Sequence, residues 1–119
     1  EPASLVQHIK SGKIRPIAVT SGKRALAMPD LPTVAESGVP GYEVTSWNGM
    51  LAPAGTPPDI VRRLNAEFNH IMADADMQKR MLEFGYEPVG GAPEKFGEHI
   101  QRETRKWAPV VKAANVRVD

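Results

Sequence analysis

The polar run Thr20-Ser21-Gly22-Lys23-Arg24 places hydroxyls, cations and a glycine side by side. It follows the apolar stretch Ile14–Val19, which reads as a strand, so the run stands at a strand's C-terminal end. Open α/β sheets hold ligands on that side. Such a loop suits a small anion, although a solvated loop is the plainer reading of the same residues. Ser21 lies near Lys23, but no nucleophile elbow or oxyanion-hole motif accompanies it. Asp30 and Thr33 lie on the approach to a short helical turn that Gly38 ends, with Asp30 a candidate cap and Glu36 a surface charge. A helix start offers unpaired amides to a carboxylate. The candidate ligand-binding residues are therefore Thr20, Ser21, Arg24, Asp30 and Thr33.

No catalytic or metal-binding constellation stands beside them. His8, His70 and His99 all fall in expected helices, and none has a second histidine at i+3 or i+4. Gly90-Gly91 lacks the lysine and the glycine spacing of a phosphate loop. Glu94, Glu98 and Arg102 have the spacing of a solvated helix face. The absence of cysteine excludes disulfides, thiolate metal sites and a thiol nucleophile, but does not place the compartment. What remains is chemistry for recognition: amides and hydroxyls that hold an anion, with no reaction, metal or cofactor implied.

The totals narrow the partners. A net charge of +1 and an aromatic content of 6% give no electrostatic or stacking case for nucleic acid, and none for an anionic membrane. The composition is that of a globular protein, and 119 residues suffice for one domain. The apolar runs fall far short of the ~20 residues that span a bilayer. Glu1-Pro2-Ala3-Ser4 is not the start of a signal peptide.

The elements that must position the candidates are organised around Trp47–Asn65. Its first half, through Ala52, continues the extended stretch Tyr42–Trp47 and reads as a strand that Pro53 stops. Its second half is written as a helix start, with Thr56 as N-cap, Pro57 at the first helical position and Asp59 three residues after the cap. That helix is expected to run to about Ala73, with Ile60, Val61, Leu64, Phe68 and Ile71 in one stripe. Asp74 or Asp76 then caps a shorter helix that Gly85 stops. Tyr86–Val89 is a brief extended piece. A last helix starts near Pro93, should bend or break at Pro109, and ends at Asn115. An earlier one, from Glu1, ends at Gly12.

Leu31-Pro32-Thr33-Val34-Ala35-Glu36-Ser37-Gly38, Trp47 and Ala52-Pro53-Ala54-Gly55-Thr56-Pro57 closely resemble the tripartite tricarboxylate transporter solute receptors, or Bug proteins. Leu64-Asn65, Gly85-Tyr86-Glu87-Pro88 and Trp107 with Val110-Val111-Lys112 follow in the family's order, so the resemblance covers essentially the whole chain. It implies an α/β fold: a portion of a two-lobe, type II-like periplasmic-binding-protein (Venus flytrap) architecture. Residues 1–44 would be the C-terminal part of the second lobe. Residues 45–119 would be a crossover strand and the C-terminal helices completing the first lobe, with Trp47 near the hinge or in the core.

The resemblance further implies a periplasmic receptor, not an enzyme. It would bind a small carboxylic acid (a di- or tricarboxylate, an acidic amino acid or an aromatic acid) and deliver it to the membrane subunits of the transporter, with no metal or redox cofactor. Family members are considerably longer, so the chain resembles their C-terminal portion. Pro109 and Asn115 depart from the family pattern and leave the end of the last helix open. Two other readings stay open on the residues alone: a carboxylate-processing enzyme domain, and an α/β module that associates with its own copies.

Overall fold

The computed structural model describes residues 5–116. Four helices are formed among them: α1 (Val6–Lys10), α2 (Pro58–Ala73), α3 (Ala75–Glu83) and α4 (Pro93–Ala113). The chain divides into two compact units, Glu1–Met50 with His70–Val89, and Leu51–Asn69 with Gly90–Asp119.

The helix ends follow local chemistry. Asp74 caps α3, its carboxylate accepting from the Met77 amide at 2.8 Å. Gly85, at φ +79°, then reverses the chain. Its N–H donates to the Leu82 carbonyl and that of Tyr86 to the Met81 carbonyl, the paired bonds of a Schellman stop. Asn115, at φ +50°, ends α4 in the same way, with Asn115 donating to Lys112 and Val116 to Val111. Lys13 and Gly12 close α1 with the equivalent bonds to His8 and Ile9. The expected first turns of α1, from Glu1, lie outside the described residues.

Two helix expectations are corrected. Thr56 does not cap α2. Its hydroxyl donates to the Pro53 carbonyl at 2.8 Å, and its amide bonds the same oxygen, closing a turn around Gly55 at φ +81°. The helix begins one residue later than expected, at Pro58, and the Pro57 carbonyl accepts its first bonds from Ile60 and Val61. Asp59 pairs with Arg62 at 2.8 Å instead of completing a capping box. Of the bend or break expected at Pro109, the break is absent, because α4 runs without interruption from Pro93 to Ala113. A proline removes one backbone bond, and the turns on either side carry the helix past it.

The expected strands Ile14–Val19, Tyr42–Ala52 and Tyr86–Val89 form no ladder among the described residues. A strand exists only against a neighbour. The pairing present is one parallel bridge, Val19 to Thr33, in which the Val19 amide donates to Pro32 and that of Val34 to Val19, each at 2.9 Å. The Val44 amide adds a bond to the Thr20 carbonyl at 2.8 Å.

The units have little apolar interior. Among the described residues no apolar side chain is buried; the buried side chains are Thr33 and Glu103. The α2 stripe is half-exposed, with Ile60 at 48% and Leu64 at 52%. Leu51 and Val89, on the expected strands, are more open still, at 77% and 84%.

Candidate functional site

The bridge between Val19 and Thr33 brings the two candidate segments together within the first unit. Thr20 continues from one side of it and Thr33 forms the other. The sequence places a capping box on the second segment. The Glu36 amide donates to the Thr33 hydroxyl at 3.0 Å, and a Glu36 carboxylate oxygen accepts from the Thr33 amide at 2.7 Å. Ser37 adds a bond from its hydroxyl to the Thr33 carbonyl at 2.8 Å. The cap of this turn is therefore Thr33, and Asp30 is not the cap.

Arg24 reaches across to the same carboxylate. Its Nε lies 3.1 and 3.2 Å from the two Glu36 oxygens, and its Nη1 donates to the Pro29 carbonyl at 3.3 Å. Glu36 thus joins Arg24 to Thr33. Donation from the Thr33 amide is the largest influence on this carboxyl. Partial dehydration opposes it, the Arg24 guanidinium reinforces it, and the group is held below its ordinary value of 4.5.

The rest of the first loop is also tied. The Ser21 hydroxyl donates to the Lys23 carbonyl at 2.7 Å. The Glu43 side chain lies against Gly22, where a Cβ would come within 2.8 Å of its carboxylate oxygen. Glu87 accepts from the Leu26 amide at 3.1 Å and pairs with Lys23 at 3.7 Å. Asp30 stands apart from this network, on the rim of a hollow of about 380 Å³ shared with Ile9, Pro16 and Met28. A second hollow, of about 550 Å³, is lined by Val6, Ile9, Met28, Ala75 and Leu82 and includes none of the five candidates.

Thr20, Ser21, Arg24 and Thr33 are thus gathered at one bridge, with Asp30 beside them. The sequence reading missed Glu36 as more than a surface charge. The signal was available in the Thr33-x-x-Glu36 spacing. Glu87 carried no local signal, because its partners lie some sixty residues earlier in the chain.

The second unit holds a different polar knot. Asn65 and Asn69, one turn apart on α2, both donate to the Gly91 carbonyl, at 2.9 and 3.1 Å. The Gly91 amide returns a bond to Asn69 Oδ1 at 2.7 Å. On α4, buried Glu103 accepts from the Trp107 indole at 3.1 Å and lies 3.5 Å from the Lys106 ammonium. Burial pushes this carboxyl up, but Trp107, Lys106 and His99 together bring it below 4.5. Both knots join a helix to its own turns or to the next loop.

No helix among the described residues is long and apolar enough to cross a membrane. No group of three or more His, Cys, Asp or Glu residues among them is arranged to hold a metal ion.

A partial α/β scaffold with loops of this kind is that of a solute-binding protein. The family profile described as "Tripartite tricarboxylate transporter family receptor" matches residues 2–116, and the chain belongs to that family. It is 40% identical over 106 residues to the UPF0065 protein in the tcbD-tcbE intergenic region of Pseudomonas sp. (strain P51), covering 88% of this chain and 32% of that protein. Among solved structures, it superposes on R. palustris Rpa4515 with adipate at a TM-score of 0.83 and 39% identity. It superposes on the periplasmic binding protein BugD at 0.81 and 40%. Each superposition covers 95% of this chain and 38% of the other. The fold is thus part of the periplasmic-binding-protein fold, and the chain spans about a third of the length of the Pseudomonas sp. (strain P51) relative.

Proposed function

We propose that this chain is part of a periplasmic receptor that binds a small carboxylic acid and delivers it to the membrane subunits of a tripartite tricarboxylate transporter. The observation that carries the reading is family membership over residues 2–116. The likeness to a structure holding adipate, a dicarboxylate, supports the ligand class. The ligand-binding stretch comprises Thr20, Ser21, Arg24, Asp30 and Thr33, where hydroxyls and amides gather beside the exposed Lys23. Residues 1–44 belong to the second lobe and 45–119 to the crossover and the first lobe. The receptor binds and releases its ligand unchanged; a family of receptors and a loop without a nucleophile–base pair support this over an enzyme.

A thermal-shift comparison on the full-length receptor tests the reading. A dicarboxylate such as adipate should raise Tm, and neither its diamide nor a neutral sugar should. Stabilisation by the sugar and not by any acid overturns the ligand class. A second reading applies to the 119-residue chain by itself. With no buried apolar side chain among the described residues, it associates with its own copies when separated from the rest of the receptor.

A further inference from the structure

The Arg24–Glu36–Thr33 cluster is more elaborate than its stability value warrants. Arg24 and Glu36 are about half-exposed, at 47% and 48%, and exposed ion pairs contribute little to folding. The cluster's effect is geometric. It ties three points of backbone: Arg24, the Pro29 carbonyl and the Thr33 amide. Those points are the end of the first candidate loop and the two ends of the second. The bridge at Val19 and Thr33 joins the start of the first loop to the end of the second, and the cluster joins the end of the first loop to both ends of the second.

The same geometry bears on what Arg24 is able to do. A ligand carboxylate arriving at its Nε meets a carboxylate already there. The oxygen of that resident group nearest to Nε also accepts from the Thr33 amide at 2.7 Å, and the Glu36 amide donates to the Thr33 hydroxyl. A tethered acid competes at an effective concentration in the millimolar range, without the entropy of bringing in a free one.

We infer that Arg24 and Glu36 are positioning residues: Glu36 holds Arg24 as a brace between the two ligand-facing loops, and Arg24 does not itself take the ligand's carboxylate. This rests on the carboxylate-receptor reading above and refines it within the same stretch. The anion is then left to the exposed Thr20 hydroxyl and to Lys23, whose partner Glu87 is the more distant at 3.7 Å. Specificity depends on how far apart the brace holds the loops.

The test uses the full-length receptor, titrated calorimetrically with adipate, succinate and citrate. Glu36→Gln and Arg24→Gln should each weaken the acid that the wild type binds by about tenfold, the scale of one charge-assisted hydrogen bond. The double variant should be no weaker than either single one, because one brace is lost in each case. Arg24→Lys keeps the charge without the fork and should resemble Arg24→Gln. Asp74→Ala, which removes a helix cap in the same unit, should lower Tm and leave binding unchanged. A large loss in Arg24→Gln with unchanged or tighter binding in Glu36→Gln would show direct contact and overturn the inference. Wild-type affinity in every Arg24 and Glu36 variant would overturn it too. Exchange of the Thr33 amide needs no ligand: it should be slow in the wild type and fast in Glu36→Ala, which leaves that amide no side-chain acceptor, and equal rates refute the brace. A wild type that shows slow Thr33 exchange but binds no acid instead overturns the receptor reading on which the inference stands.

Discussion

Asn69 offers the most direct test of how the second unit is held. Its amide nitrogen donates to the Gly91 carbonyl at 3.1 Å and to Asn65 Oδ1 at 3.0 Å, and its oxygen accepts from the Gly91 amide at 2.7 Å. A partly buried hydrogen bond contributes about 0.5–1.5 kcal/mol net. Asn69→Ala loses all three, but Asn65 still serves the Gly91 carbonyl at 2.9 Å, and water reaches part of the site. The net loss should be about 2 kcal/mol, nearer the low end of that sum. Gly90 supplies the second arm. A Cβ there would stand 2.6 Å from Asn69 Oδ1, so Gly90→Ala must displace the oxygen that holds Gly91. It should destabilise the wild type and cost almost nothing once residue 69 is alanine. Urea unfolding of the full-length receptor with the single and double variants reads the coupling as a double-mutant cycle. An Asn69→Ala loss below about 0.5 kcal/mol, the usual range of surface changes, refutes the clamp. A Gly90→Ala penalty that is the same in both backgrounds refutes the contact.

The two depressed carboxyls set the acid limb. Glu36 and Glu103 ionise more readily folded than their ordinary value of 4.5, so their stabilisation is present above that pH and is lost as pH falls through the lower folded values. The variant carrying Glu36→Gln and Glu103→Gln should show a shallower fall of Tm below pH 4.5, and a slope equal to the wild type's would exclude these groups. The 119-residue chain alone should sediment as a species larger than one chain and give no tight calorimetric binding of carboxylates. A well-folded monomer that binds adipate by itself would refute both the association and the lobe assignment.

The sequence was legible where structure is set by neighbours a few residues away. Asp74 caps α3, and Gly85 and Asn115 stop α3 and α4, because each needs only the last turn of its own helix. Thr56 misled because two plausible starts compete. Its hydroxyl suits a cap, but the turn around Gly55 takes that hydroxyl as a donor, and the double proline lets the helix begin one residue on. The Thr33–Glu36 box is written at the right spacing, but Asp30 is an equally good capping residue three positions earlier, and only the fold shows which of them caps the turn. Strands were the hardest to read. Ile14–Val19 and Tyr42–Ala52 have the apolar content of strands, but pairing is a property of two segments, and among the described residues it amounts to the Val19–Thr33 bridge and a single bond from Val44 to Thr20.

The same contrast explains why the family was easier to identify than the site. The Pro-rich signatures around Leu31–Gly38 and Ala52–Pro57 fix turns, and turns are encoded locally. Ligand contact depends on which loops converge, and that is decided by long-range ties such as Glu87 to the Leu26 amide. Glu36 lies between the two cases: its bond to Thr33 is local and readable, whereas its bond to Arg24 crosses twelve residues. A candidate chosen by its side-chain type and its place after an apolar stretch, as Arg24 is, can therefore have its charge already paired with a neighbour. For a carboxylate receptor this distinction matters, because an arginine already holding one acid orders a loop, and an arginine with no resident acid selects a ligand.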